Sequence, residues 1–263
     1  MNDRKTVYVD HAGATIPSKQ LLENVFSELI TYDFGNPHSN GSYSFRSSNV
    51  VDEARAAVLE HFNVSENQYE IIFTSGATSS IKMVGECFPW KCDSVLLHPR
   101  NAHTSLLGLR SYSPNTLCVP SSTFHSDHVD YVKSESDWFQ SDQVAGFNLL
   151  VVPGECNFSG SKANLYSSTS FVNSCCNSSG TVFLQRIEGA LMTKSATGTL
   201  NNNYPWLWLL DAAKLASNSP IDLSAMPTPP HFVAISFYKI FGYPTGLGAL
   251  LVRRDVLPVL QKT

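Results

Sequence analysis

Short apolar runs alternate with stretches of helical periodicity along most of this chain. Val7-Tyr8-Val9 reads as a short strand running into a turn through residues 10–17. Leu21, Leu22, Val25, Phe26, Leu29 and Ile30 recur at helical spacing, which predicts an amphipathic helix starting near Pro17-Ser18. Turn-formers at residues 35–41 separate it from a second helix with Val50, Val51, Ala54, Ala57, Val58, His61 and Phe62 on one face. A strand over residues 69–74 follows, then the small-residue turn 75–80 and a helix carrying Ile81, Met83, Val84 and Phe88. Further strands are predicted at residues 95–97, 117–119, 148–152, 207–210, 232–235 and 249–252. Residues 121–143 read as mostly loop with a short helix, and the Ser- and Asn-rich residues 161–180 as a long variable loop. Strands alternating with helices predict an α/β fold whose sheet is largely parallel, with functional residues at the carboxyl ends of its strands.

Composition narrows the setting. At 263 residues the chain can bury a sizeable core, and its net charge of −4 comes without a basic block, so nucleic acid is not an expected partner. No apolar run approaches a membrane span, and the N-terminus has no signal-peptide apolar region. The six cysteines, adjacent Cys175 and Cys176 among them, show neither CxxC pairing nor zinc-ligand spacing, so free thiols in a reducing cytoplasm are expected. His38 reads as a loop polar group and His61 as a helix-face residue; neither is taken as a metal ligand.

The polar residues at the predicted strand ends carry the chemistry. Lys239 lies between two apolar strands beside a turn rich in Gly and Pro. Apolar neighbours would strip its hydration, lower its pKa and favour the free amine, which can form an imine with an aldehyde such as pyridoxal 5'-phosphate. A lysine snorkelling from a hairpin is the plainer alternative. The turn Ser75-Gly76-Ala77-Thr78 presents hydroxyls and N–H groups at a helix N-terminus, which suits a phosphate but is also an ordinary cap. Asp211 could likewise be a helix cap, or could keep a pyridine nitrogen protonated. Thr78, His103, Asn157, Asp211 and Lys239 all fall just past predicted strands, and that shared placement outweighs any one motif.

The stretches Tyr8-Val9-Asp10-His11-Ala12-Gly13-Ala14-Thr15, Gly35-Asn36-Pro37-His38-Ser39, Phe73-Thr74-Ser75-Gly76-Ala77-Thr78, Cys156-Asn157-Phe158-Ser159-Gly160, Pro220-Ile221-Asp222-Leu223-Ser224 and Ser236-Phe237-Tyr238-Lys239-Ile240-Phe241-Gly242 span nearly the whole chain. Their pattern resembles the class V aminotransferase group of fold-type I pyridoxal phosphate enzymes, specifically the cysteine desulfurases. It looks closest to the N-terminal desulfurase-like domain of the molybdenum cofactor sulfurases. The resemblance implies a large α/β domain over residues 1–263, with residues 1–45 at the site entrance and residues 46–263 forming the sheet core. It implies that Lys239 holds the cofactor as an imine and shuttles the α-proton of L-cysteine. Asp211 would pair with the ring nitrogen, His103 would stack on the ring and Asn157 would bond its hydroxyl. Ala77, through its backbone, Thr78 and Ser236 would hold the phosphate.

The resemblance also implies a homodimer and transfer of sulfur, as a persulfide, to the molybdenum cofactor of xanthine dehydrogenase and aldehyde oxidase. Iron–sulfur assembly or selenocysteine lysis is the alternative within the class, and a cofactor-binding chain that turns nothing over is the alternative outside it. Two positions depart from the desulfurase pattern: Lys214 stands where Gln is common, and Tyr238 where His is common. Lys214 beside the ring hydroxyl would favour its phenolate. The family's small C-terminal domain, persulfide cysteine and substrate-carboxylate arginine are expected beyond Thr263.

Overall fold

The computed structural model describes residues 7–124, 146–167 and 204–261. Seven strands form one sheet: β1 (Tyr69–Thr74), β2 (Val95–Pro99), β3 (Asn115–Val119), β4 (Asn148–Pro153), β5 (Trp206–Asp211), β6 (Phe232–Ser236) and β7 (Gly248–Arg253), in the order β1-β7-β6-β5-β4-β2-β3. The β2–β3, β2–β4, β4–β5 and β5–β6 pairs are parallel, as the alternation of strands and helices predicts. β7 is the departure, running antiparallel to both β6 and β1. The segment 237–247 is too short for the helical crossover that a parallel neighbour requires, so the chain returns beside β6. This topology puts the carboxyl ends of β1, β2, β4, β5 and β6 on one edge, where β7 enters at Gly248.

Alternation along the strands feeds both faces of the sheet. Leu97, Leu150, Trp208, Leu210, Val233 and Leu251 face one core, with Leu59, Phe62, Leu215 and Leu223. Leu96, Leu149, Leu207, Leu209, Ala234 and Leu250 face the other, against Ile81, Val84 and Phe88 of the helix α3 (Ala77–Cys87) and its end. A central strand buried on both sides reads as a continuous apolar run, which is why these segments were legible. Each fully buried Leu or Val contributes roughly 1.5–3 kcal/mol.

The N-terminal region departs from expectation. α1 (Lys19–Thr31) begins as predicted, with Ser18 Oγ accepting from the Leu21 N–H at 3.1 Å, yet none of its residues is buried. Phe26, Leu29 and Ile30 remain exposed along the face that the spacing predicted to be covered. Periodicity reports a helix with an apolar face, not what covers that face. α2 (Ser42–His61) docks mainly through Leu59 and the following Phe62, while Val50 stays exposed. Residues 7–9 form no strand: Val7 and Val9 face solvent, and the Tyr8 hydroxyl bonds to the Asp10 and Ala14 carbonyls instead of a sheet neighbour. Residues 121–124 form a short 3-10 turn; residues 125–143 and 168–180, with Cys175 and Cys176, lie outside the described residues. Among the described residues, no helix is long and apolar enough to cross a membrane.

His231, just before β6, is buried and accepts a hydrogen bond at 3.0 Å from the Trp208 N–H. Burial first, and then the charge of Arg253, hold its pKa well below the ordinary value. Below that ordinary value the unfolded chain takes up a proton that the folded chain refuses, so stability falls with acidification. We expect the unfolding free energy from urea titration to drop between pH 7 and pH 5, by up to about 2 kcal/mol for this one group. The drop should shrink in His231→Gln, which keeps an acceptor, leaving the part due to His98, also lowered by burial, offset by Asp211, whose raised pKa acts in the opposite sense.

Candidate active site

The sheet edge described above opens into a cavity of about 900 Å³. Lys239 reaches it from the one-turn helix α6 (Phe237–Phe241) that follows β6. The Phe237 and Phe241 rings stack at 5.7 Å along this turn, and Gly242 ends it in the left-handed conformation, φ 86°, with its N–H on the Tyr238 carbonyl. Thr15 Oγ1 donates to the Lys239 carbonyl at 2.7 Å, so the N-terminal segment braces the turn from outside. The Lys239 side chain is buried, and burial lowers its pKa against the attraction of Asp211 and Asp10; nearby Lys214 lowers it further. The amine is thereby shifted toward its free form.

Asp211 ends β5, between β4 and β6, with Oδ1 accepting from the Ala213 N–H at 3.1 Å. Burial raises its pKa, opposed by that hydrogen bond and by the charges of His103 and Lys239. Where β1 passes into α3, Ser236 Oγ accepts from the Ala77 N–H at 3.1 Å. Thr78 Oγ1 lies 2.7 Å from Ser105 Oγ, which lies 3.0 Å from His103 Nδ1. Ser105 N–H also donates to His103 Nδ1, fixing the ring at the start of the short helix α4 (Thr104–Leu107).

The turn after β4 carries Asn157. The Glu155–Lys162 bridge pins it, and the Cys156 N–H donates to the Ser161 carbonyl at 2.9 Å. Lys214 closes the turn from the β5 side. Its Nζ lies 3.2 Å from Glu155 Oε1 and donates to the Cys156 and Asn157 carbonyls at 2.9 and 3.4 Å.

Every residue proposed from the sequence, namely Ala77, Thr78, His103, Asn157, Asp211, Lys214, Ser236, Tyr238 and Lys239, lines this cavity. Lys214 does so with its ammonium turned onto protein acceptors. Asp10, Asn101, Glu155 and Cys156 also line it and were not proposed. Asp10 lies in the Tyr8–Thr15 motif, but its approach to Lys239 spans most of the chain. Glu155 and Lys214 carry no common spacing signal, because only the β4–β5 pairing brings them together.

The Aminotransferase class-V family profile matches residues 7–110. The molybdenum cofactor sulfurase of Arabidopsis thaliana is 38% identical over 281 aligned residues, covering 99% of this chain and 32% of that protein. The chain is a relative of the molybdenum cofactor sulfurases. It spans roughly a third of the length of these sulfurase relatives; the human one is 35% identical, with 98% of this chain and 27% of that protein covered. The cystine C–S lyase C-DES, solved with its product cysteine persulfide, shares the fold with a TM-score of 0.68 at 18% identity, covering 99% of this chain and 60% of its own.

One close approach holds the Ala77 corner shut. A Cβ on Gly248 would collide with the Ile235 carbonyl and come within 2.5 Å of the Gly76 Cα, both backbone. Gly248→Ala must separate β6, β7 and the turn before α3. We expect a loss of about 1–3 kcal/mol in chemical denaturation; an unchanged midpoint would show that the corner has slack.

Proposed function

We propose that this chain is the pyridoxal phosphate-binding part of a cysteine desulfurase, mobilising sulfur from L-cysteine for the molybdenum cofactor of xanthine dehydrogenase and aldehyde oxidase. The observation that carries the reading is a buried lysine, shifted toward its free amine, sharing a cavity with a half-buried carboxyl group whose pKa is raised. The relationship to the sulfurases along the whole chain supports the choice of substrate and acceptor.

The cavity suits the cofactor on its own features. Among the described residues no hydrogen bond or ion pair engages Lys239 Nζ, and Asn101 Oδ1 is buried on the wall without a partner. The Ala77, Thr78 and Ser236 corner has a helix N-terminus and hydroxyls for a phosphate. When bound, the cofactor supplies an aldehyde that captures amines and a ring that draws electrons from the α-carbon of the captured amine. Lys239 would hold it, and its Nζ would take the α-proton of the substrate. Asp211 would face the ring nitrogen, and a cation there would draw its raised pKa back down to the carboxylate. The His103 ring, fixed by Ser105, would cover one face of the ring. The Asn157 amide, exposed to the cavity, would bond the ring hydroxyl.

A homodimer in the cytoplasm completes the reading. The apolar face of α1 is of the kind that marks an interaction surface, and Cys87, Cys92, Cys118 and Cys156 are free thiols. Addition of pyridoxal phosphate should give a visible absorbance band that is absent from Lys239→Ala, and L-cysteine should shift that band. No band in a folded sample would overturn the cofactor assignment. A band that L-cysteine leaves untouched would overturn the substrate.

A further inference from the structure

Lys214 and Glu155 form a pair whose placement is unusual for the lining of a binding cavity. Their side chains are only 11% and 6% exposed, so both charges have left most of their water behind. Such a pair stabilises weakly as a unit, while loss of one partner leaves a buried charge uncompensated. Its geometry is directional. The Lys214 ammonium meets Glu155 Oε1 and two successive carbonyls, Cys156 and Asn157. The second Glu155 oxygen accepts from Asn218 Nδ2 at 2.9 Å, on the helix α5 (Leu215–Asn218) that follows Lys214, and lies 3.9 Å from the half-exposed Lys162 Nζ, which both variants below leave in place. The turn after β4 is thus tied to the helix after β5 on both sides of one carboxylate.

We propose that the Glu155–Lys214 pair is the positioning device of this cavity: it fixes the Cys156–Asn157 peptide and so sets where the Asn157 amide and the Cys156 thiol meet a ligand. Lys214 acts on the ligand through this turn, with its ammonium committed to the protein. The identity of the ligand rests on the cofactor reading above; the clamp itself does not.

The Cys156 thiol reports the geometry of the turn. Burial alone would push it up, but hydrogen bonds from the Ser159 side chain and amide, the Phe158 amide and the Asn101 side chain outweigh burial and bring it down to about 7. These donors sit on the turn or across the cavity from it, so they stay aligned only while the turn is held.

The test is the pH profile of Cys156 alkylation by iodoacetamide, mapped by mass spectrometry on the full chain before cofactor is added. The profile is taken in the wild type, in Glu155→Gln and in the double variant Glu155→Gln/Lys214→Met. The midpoint, unlike the rate, does not depend on how open the thiol becomes. Removing a negative charge from Glu155 acts through space to lower the thiol midpoint, whereas loosening the turn raises it. The double variant leaves the net charge unchanged, and replacing a buried pair by neutral groups is the substitution that folds tolerate best. In both variants we expect the midpoint to rise by at least about one unit toward the ordinary thiol value, which cuts the thiolate fraction at pH 7 about fivefold or more. A double-variant midpoint unchanged from wild type overturns the proposal, as does a fall in Glu155→Gln. If Glu155→Gln does not fold, the double variant decides alone. Pyridoxal phosphate is then titrated into each protein. Both variants should keep the visible band, because Lys239 is intact, and bind about tenfold more weakly. Absence of the band from the wild type would overturn the cofactor reading while leaving the thiol result to judge the clamp.

Discussion

The structure depends on holding a lysine and a carboxylic acid out of water at the same sheet edge without letting them neutralise each other. Burial pushes Lys239 toward the free amine and Asp211 toward the neutral acid, while their mutual attraction pulls both back toward their charged forms. That balance requires a rigid floor, because in a flexible site the two groups would meet or find solvent. The floor is the parallel part of the sheet, buried on both faces, with Asp211 ending β5 and Lys239 one short step beyond β6. The return of β7 beside β6 closes it, with Gly248 permitting the contact between β6 and the turn before α3.

The local elements could be read from the sequence wherever one physical signal decided them. Residues 232–235 are an apolar run, residues 69–74 a largely apolar segment before a small-residue turn, and both are strands. Ser18 caps α1 as its spacing predicts. The site residues were legible for a related reason: in a largely parallel sheet, a polar residue just past an apolar run has one edge on which to lie. The signals failed where a partner decides the outcome. Val7-Tyr8-Val9 has the composition of a strand but no sheet neighbour among the described residues, and the apolar face of α1 is covered only in part, Phe26 meeting the Tyr243 ring while Leu29 and Ile30 stay exposed.

The Glu155–Lys214 contact shows the same limit inside the site. Lys214 was expected beside the ring hydroxyl, where it would favour the phenolate; in this structure its ammonium faces a carboxylate and two carbonyls. No local pattern links residue 155 to residue 214; the link exists because β4 and β5 are neighbours. Lys214 and Lys239 therefore sit in one cavity with different chemistry. Lys214 is held by a carboxylate and two carbonyls, whereas burial shifts Lys239 toward its free amine.

Covalent labelling reads that difference directly. The chain is incubated with pyridoxal phosphate at neutral pH, reduced with borohydride, digested and mapped for the phosphopyridoxyl group. Label confined to Lys239, with Lys214 clean, is the expected result. Label on Lys214, or spread over exposed lysines such as Lys82 and Lys162 with none on Lys239, would contradict it.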